Sequence, residues 1–307
     1  MWFLFSLITL LCWSGSDLLS KIGCSSTEDK DTDSFSHLKM VTAVGFVMGI
    51  HALYQIFGND IEINASVVVK YLPVSLLYIS SMAVGYLGLR YIELSVSSPI
   101  CNSSGAVVAV LSIAVYGISK EIPALSLVAV AMVCIGVIML GIVEATEDEE
   151  LRSIRQKESN RKYAKSFAAL IIPVIYCLLD ALGTFADSVI LQSLDEDSAN
   201  VAYELTFLFV GVISAIYTFL IRKQKFRIRE EVPKYTAAVF ETAGQFFYIY
   251  TMADTKHVMI TAPVISGYCA LSVLWSRIFL KEKLSGKHYL SLAFVFAGIL
   301  ILGILDI

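Results

Sequence analysis

Five carboxylates fall inside otherwise apolar stretches of the chain: Asp17, Asp180, Asp187, Glu204 and Glu241. A charge at mid-membrane costs at least ~2.5–3.5 kcal/mol on insertion scales, so such groups point to a cargo, a proton or a buried partner. Asp180 is the leading candidate. With Tyr176, Gly183, Thr184 and Asp187 it follows i, i+4, i+7, i+8, i+11 spacing, one polar stripe on a helix that should face a wet cavity. No lysine or arginine stands one turn from it, so its charge needs a cation, a proton or a group on another helix. Asp17 matches it, each having an aromatic residue four positions earlier, Trp13 and Tyr176. Lys21 follows Asp17 by one turn, however, the spacing of an intrahelical ion pair that would neutralise itself. Glu241 shares a helix face with Gly244 and Gln245. Asp187 and Glu204 lie near segment ends and are expected to reach interfacial water. The expected substrate- or proton-binding set is therefore Asp180, Asp17, Glu241, Tyr176, Trp13 and Thr184.

Other chemistry finds little support. His37, His51, His257 and His288 are scattered, without HExxH or paired ligands, and no glycine-rich phosphate loop is present. No metal or cofactor is expected. The six cysteines lack CxxC spacing and read as small apolar packing residues. No basic face suggests nucleic acid. Tyr86, Tyr91, Tyr203, Tyr248, Tyr250 and Tyr268 are cavity candidates, although membrane aromatics more often anchor at interfaces. Asn64-Ala65-Ser66 fits a glycosylation sequon.

The elements that hold these residues follow from composition. The chain has 307 residues, 57% hydrophobic and 16% charged, outside the range of soluble domains. The apolar residues gather into blocks of about twenty, the length that crosses a ~30 Å hydrocarbon core as a helix. Ten segments are expected, near 2–22, 38–57, 71–90, 97–118, 122–143, 167–190, 201–221, 235–253, 258–280 and 286–305. The first is read as a span and not a removed signal. The fold class is thus all-α integral membrane.

The two halves repeat. GVIMLG at 136–141 recurs as GILILG at 298–303, and Lys120-Glu121 as Lys281-Glu282. Pro99 pairs with Pro263, and Pro73 with Pro233, both of the latter placed at segment starts. Five matches at nearly one offset divide the chain into residues 1–145, a charged linker 146–165, and residues 166–307. Residues 26–33, STEDKDTD, form an acidic solvated loop. Five spans per half turn the second copy over, giving inverted repeats. The loop charges agree: the 23 lysines and arginines split 20 to 3 between odd and even loops. By the positive-inside rule the odd loops face the cytoplasm and both termini the outside.

These features resemble the EamA-type branch of the drug/metabolite transporter superfamily. The resemblance covers nearly the whole chain and rests on LCWSGSDLLSKIG at 11–23, on SP…KEIP…GVIMLG at 98–141, and on its copy AP…KEKLSG…GILILG at 262–303. It implies a permease that moves a small organic solute by alternating access around a cavity between the repeats. Family members usually keep both termini in the cytoplasm, opposite to the charge count here. Acids without nearby bases favour a cationic or amine-bearing cargo, or proton coupling. The rival reading is a membrane-embedded lipid-modifying enzyme, which would need a clustered catalytic set at one membrane face. The expected setting is the plasma membrane, with lipid and a small-molecule substrate as partners. The repeated GxxxxG permits close helix packing, including packing in a homodimer.

Overall fold

The computed structural model describes residues 1–25, 35–92, 94–118, 122–145 and 171–306. The acidic loop 26–33, Glu93, Lys120-Glu121 and the linker 146–165 lie outside the described residues. All regular structure among the described residues is helical. Ten elements follow the ten expected segments: α1 (Trp2–Ser25), α2 (Ser36–Gly58), α3 (Ala65–Tyr91), α4 (Leu94–Tyr116), α5 (Ala124–Ala145), α6 (Ile171–Ile190), α7 (Glu196–Ile221), α8 (Ile228–Ala253), α9 (Val258–Leu280) and α10 (Gly286–Asp306). α4 is interrupted at Ser103 and α9 at Gly267. The last turns of α7 and α9 widen into π-helix.

Nine of these helices are long and apolar enough to cross a membrane. The tenth, α8, opens with Arg229, Glu230, Glu231 and Lys234, which dilute its apolar content. It nonetheless packs closely on α1 within the same bundle. Large apolar side chains point outward elsewhere, with Leu182 54% exposed, Phe209 67% and Leu300 65%. Such a surface suits lipid and would drive association in water. The chain is an integral, multi-pass membrane protein.

Helix packing carries the repeat into three dimensions. α1 packs on α8, and α6 packs on α3, so exchanging each helix with the one five later converts one pair into the other. The pairs α2–α7, α4–α9 and α5–α10 each map onto themselves. That is the pattern of a pseudo-two-fold axis, and with five helices per half the repeats are inverted. Backbone detail obeys it as well. Asp60 and Lys223 end α2 and α7 with φ of 54° and 53°, and Gly117 and Lys281 follow α4 and α9 with φ of 74° and 59°.

Small residues bring the self-paired helices together. A Cβ on Gly45 of α2 would stand 2.6 Å from the Phe207 carbonyl oxygen and 2.8 Å from Gly211 Cα on α7. A Cβ on Gly136 of α5 would stand 2.7 Å from Val295 Cγ2 on α10, and one on Gly298 of α10 would stand 2.7 Å from the Ala129 carbonyl oxygen on α5. Gly136 and Gly298, the first glycines of the two GxxxxG runs, are therefore used inside one chain, in the contact between its two halves.

At two helices an earlier start than the sequence reading gave moves a proline inward. α3 begins at Ala65 and α8 at Ile228, so Pro73 and Pro233 lie within helices and not at their starts. Hydropathy marks only the apolar part of a helix, whereas backbone hydrogen bonding continues into the polar interface. At α3 the Asn64 side chain caps the first turn, accepting from the Val67 amide at 3.1 Å, as an N-cap residue does.

Candidate functional site: an acidic, aromatic cavity between the repeats

A cavity lies between α1, α3, α4, α6, α7, α8 and α9, with ≈ 950 Å³ of empty space including its open mouth. Trp13, Asp17, Tyr176, Asp180, Thr184 and Glu241 all line it. The periodicity of α6 explains its share. Tyr176, Asp180 and Thr184 recur on the inward face, while Val174, Leu178 and Leu182 face outward.

Each acid is held by a hydroxyl from another part of the bundle, or from α1 in the case of Glu241. Ser98 of α4 donates to Asp17 Oδ2 at 2.6 Å, and Ser272 of α9 to the same oxygen at 2.9 Å. Ser104 of α4 donates to Asp180 Oδ2 at 2.7 Å. Ser16 of α1 donates to Glu241 Oε2 at 2.7 Å. These hydroxyls fix the carboxylates without neutralising them. Among the described residues, the lining includes these three acids and no lysine, arginine or histidine.

The rest of the wall is aromatic. Trp13 lies tilted against Tyr248 and meets Tyr268 edge-on, with ring centroids 5.0 and 5.8 Å apart. The indole fits because position 244 is glycine, where a Cβ would come within 2.5 Å of Trp13 Cδ1. The Tyr78 and Tyr248 hydroxyls are hydrogen-bonded to each other, and Thr184 Oγ1 stands 3.2 Å from each of them, closing a triad of hydroxyls. Tyr86 and Tyr203 complete this lining, whereas Tyr91 and Tyr250 do not belong to it. Tyr91 is partly exposed beside Arg90, and the Tyr250 hydroxyl donates to Asp197.

Two expectations need correction. Asp187 and Glu204 do not reach interfacial water; both are fully buried. α6 continues to Ile190 and α7 starts at Glu196, so each acid sits within a helix and packs against a neighbour. Asp187 leaves the cavity stripe and accepts from the Tyr71 hydroxyl at 2.6 Å. Glu204 lies 2.8 Å from His51 Nδ1 and accepts from Asn200 Nδ2 at 3.1 Å. The expected Asp17–Lys21 pairing is also replaced. Lys21 Nζ donates to the carbonyls of Leu89 and Ile92 at the end of α3, and the described partners of Asp17 are hydroxyls.

Several lining residues escaped the sequence reading, chiefly Tyr78, Ser98, Asn102 and Ser104. Their signal was the polar run Ser97-Ser98-Pro99 and Asn102-Ser103-Ser104 within an apolar span. A second charged cluster lies off the cavity. Glu231 Oε1 is 3.0 Å from Lys39 Nζ and Glu231 Oε2 is 3.4 Å from Lys234 Nζ, all three side chains at most 3% exposed.

Comparison with known proteins agrees with this architecture. The model of the EamA-like transporter family matches residues 168–304, which span α6 to α9 and nearly all of α10. The match supports membership of the drug/metabolite transporter superfamily and indicates a membrane transporter, a permease. Among solved structures, a crystal structure of a protein 13% identical to this chain aligns with a TM-score of 0.65 over 99% of this chain and 98% of its own. At that identity the likeness concerns the fold. No curated protein matches the chain significantly.

Proposed function

We propose that this permease is a secondary transporter of a small organic cation, an amine-bearing metabolite, moved across the plasma membrane by alternating access with protons as the competing ion. One observation carries the reading: among the described residues, three carboxylates and no basic side chain line a cavity walled by Trp13 and tyrosines. Uncompensated buried carboxylates are costly. An ammonium offsets that cost through charge-assisted hydrogen bonds to the acids and attraction to the ring faces. A carboxylate that releases the ammonium can take a proton in its place, so proton and cargo exchange at one group. The cavity lies where the two inverted repeats meet, the location that rocking one repeat against the other would expose to each side in turn.

The test is a thermal-shift screen of the purified protein against primary amines, amino acids and nucleotide sugars, since a ligand that binds only the folded state raises the melting temperature. Amines should stabilise and the anionic nucleotide sugars should not. Stabilisation by nucleotide sugars with none from amines would contradict the reading.

A further inference from the structure

Asp17 and Asp180 are attached to one helix at two heights. Ser98 and Ser104, their respective hydrogen-bond donors, stand six residues apart on α4, ~9 Å at the helical ~1.5 Å per residue, since Ser103 at the interruption keeps right-handed helical dihedrals. In each aspartate Oδ2 receives the serine hydroxyls, while Oδ1 carries no hydrogen bond to a described residue. Glu241 stands within electrostatic reach of both. The cavity thus presents two separated carboxylates, each with an oxygen left for a ligand, and a third acid near both.

An independent feature points to a ligand at the same place. Ser20 Oγ, Tyr86 Oη and Gln245 Nε2 are buried without a hydrogen-bond partner, and all three residues line the cavity. Their residues are 1%, 6% and 3% exposed. Buried polar atoms are normally satisfied, and the Ser20 and Tyr86 oxygens have lone pairs for ammonium protons.

Resting on the cationic reading above, we propose that the cargo is a short linear α,ω-diamine, with one ammonium at Asp17 and the other at Asp180. Each ammonium sits inward of its carboxylate, so the nitrogens stand closer together than the acids do. An extended chain advances ~1.2 Å per bond, as a residue of three bonds spans ~3.3–3.6 Å. About four to six carbons between the nitrogens then reach ~6–8 Å. The alkyl middle passes along the tyrosine rings, and two charges on the cargo leave Glu241 the one acid available to a proton.

Calorimetric titration of the purified full-length protein tests this with cadaverine, pentylamine and ethylenediamine. Cadaverine should bind roughly tenfold or more tightly than pentylamine, the effect of engaging a second buried charge. Ethylenediamine, too short to span the acids, should show no such gain. Asp17→Asn and Asp180→Asn should each abolish the preference for cadaverine over pentylamine. Equal affinity for cadaverine and pentylamine, or a preference that survives both substitutions, would overturn the diamine proposal while leaving the cationic reading intact. Failure of every amine to bind would overturn both. Should a variant not fold, the comparison of the three amines on the unaltered protein decides alone.

Discussion

Ser103 and Gly267 adopt the same backbone conformation, φ −61°, ψ −11° and φ −59°, ψ −10°. Each lies four residues after a proline, and its amide bonds back to that proline's carbonyl, at 3.1 Å from Ser103 to Pro99 and 3.0 Å from Gly267 to Pro263. Proline removes one helical hydrogen bond and crowds the preceding turn. In α4 the interruption at Ser103 lies between Ser98 and Ser104, the residues that hold Asp17 and Asp180.

Pro99→Ala and Pro263→Ala should therefore separate stability from transport. Alanine restores the missing amide, so the melting temperature of each variant should hold or rise. Amine uptake into proteoliposomes should fall several-fold, because relaxing the crowded turn before each proline shifts the cavity wall, Ser98 included. Wild-type uptake by both variants would contradict a positioning role for the breaks.

The Lys39–Glu231–Lys234 cluster predicts a stability effect outside the cavity. Glu231→Gln leaves two lysines buried in α2 and α8 without their carboxylate. Loss of one partner from a buried ion network typically costs about 3–5 kcal/mol. A marked drop in thermal stability is expected, and Glu231→Gln melting like the wild type would refute it.

Much of this architecture was legible in the sequence because lipid imposes a simple rule. Every apolar block of sufficient length became a helix, and the repeat offsets matched each helix of the first half with the one five later. What the pattern could not supply were contacts between distant segments. Lys21 stands one turn from Asp17, yet it reaches the end of α3, because burial rewards carbonyl acceptors that local spacing does not reveal. Glu204 looked peripheral only because polar residues 196–200 extend α7 beyond its apolar stretch. Ser98 and Ser104 gave too weak a signal singly, since a serine in a membrane helix commonly bonds its own backbone, as Ser103 does to the Pro99 carbonyl.

Close approach of α5 to α10 predicts that bulk at Gly136 or Gly298 is harmful. Gly136→Leu places a branched side chain where even a Cβ stands 2.7 Å from Val295 Cγ2. Overpacking of this kind costs about 1–3 kcal/mol. Both leucine variants should melt lower than the wild type, and a lipid-facing control, Leu300→Ala, should not. Equal melting of Gly136→Leu and wild type would show that the helices part without cost.

Orientation is open to a direct test. By the positive-inside rule, the 20-to-3 split of basic residues predicts odd loops in the cytoplasm and both termini outside. In a cysteine-free background, a single cysteine at Ile307 should react with a membrane-impermeant reagent in intact cells, and one at Ser159 should not. Labelling at Ser159 alone would reverse the orientation.

Asp180→Asn tests the central claim most directly. The substitution keeps the shape and the ability to accept from Ser104, and removes only the charge, so the variant should insert and fold. The measurement is uptake of a labelled stabilising amine by proteoliposomes across a range of imposed pH gradients, with equal amounts of inserted protein. An acidic cavity that exchanges amine for proton predicts that Asp180→Asn loses uptake, or retains uptake that no longer responds to pH. Unchanged uptake with unchanged pH dependence would contradict the role assigned to Asp180 and reduce it to a hydrogen-bonding link between α6 and α4.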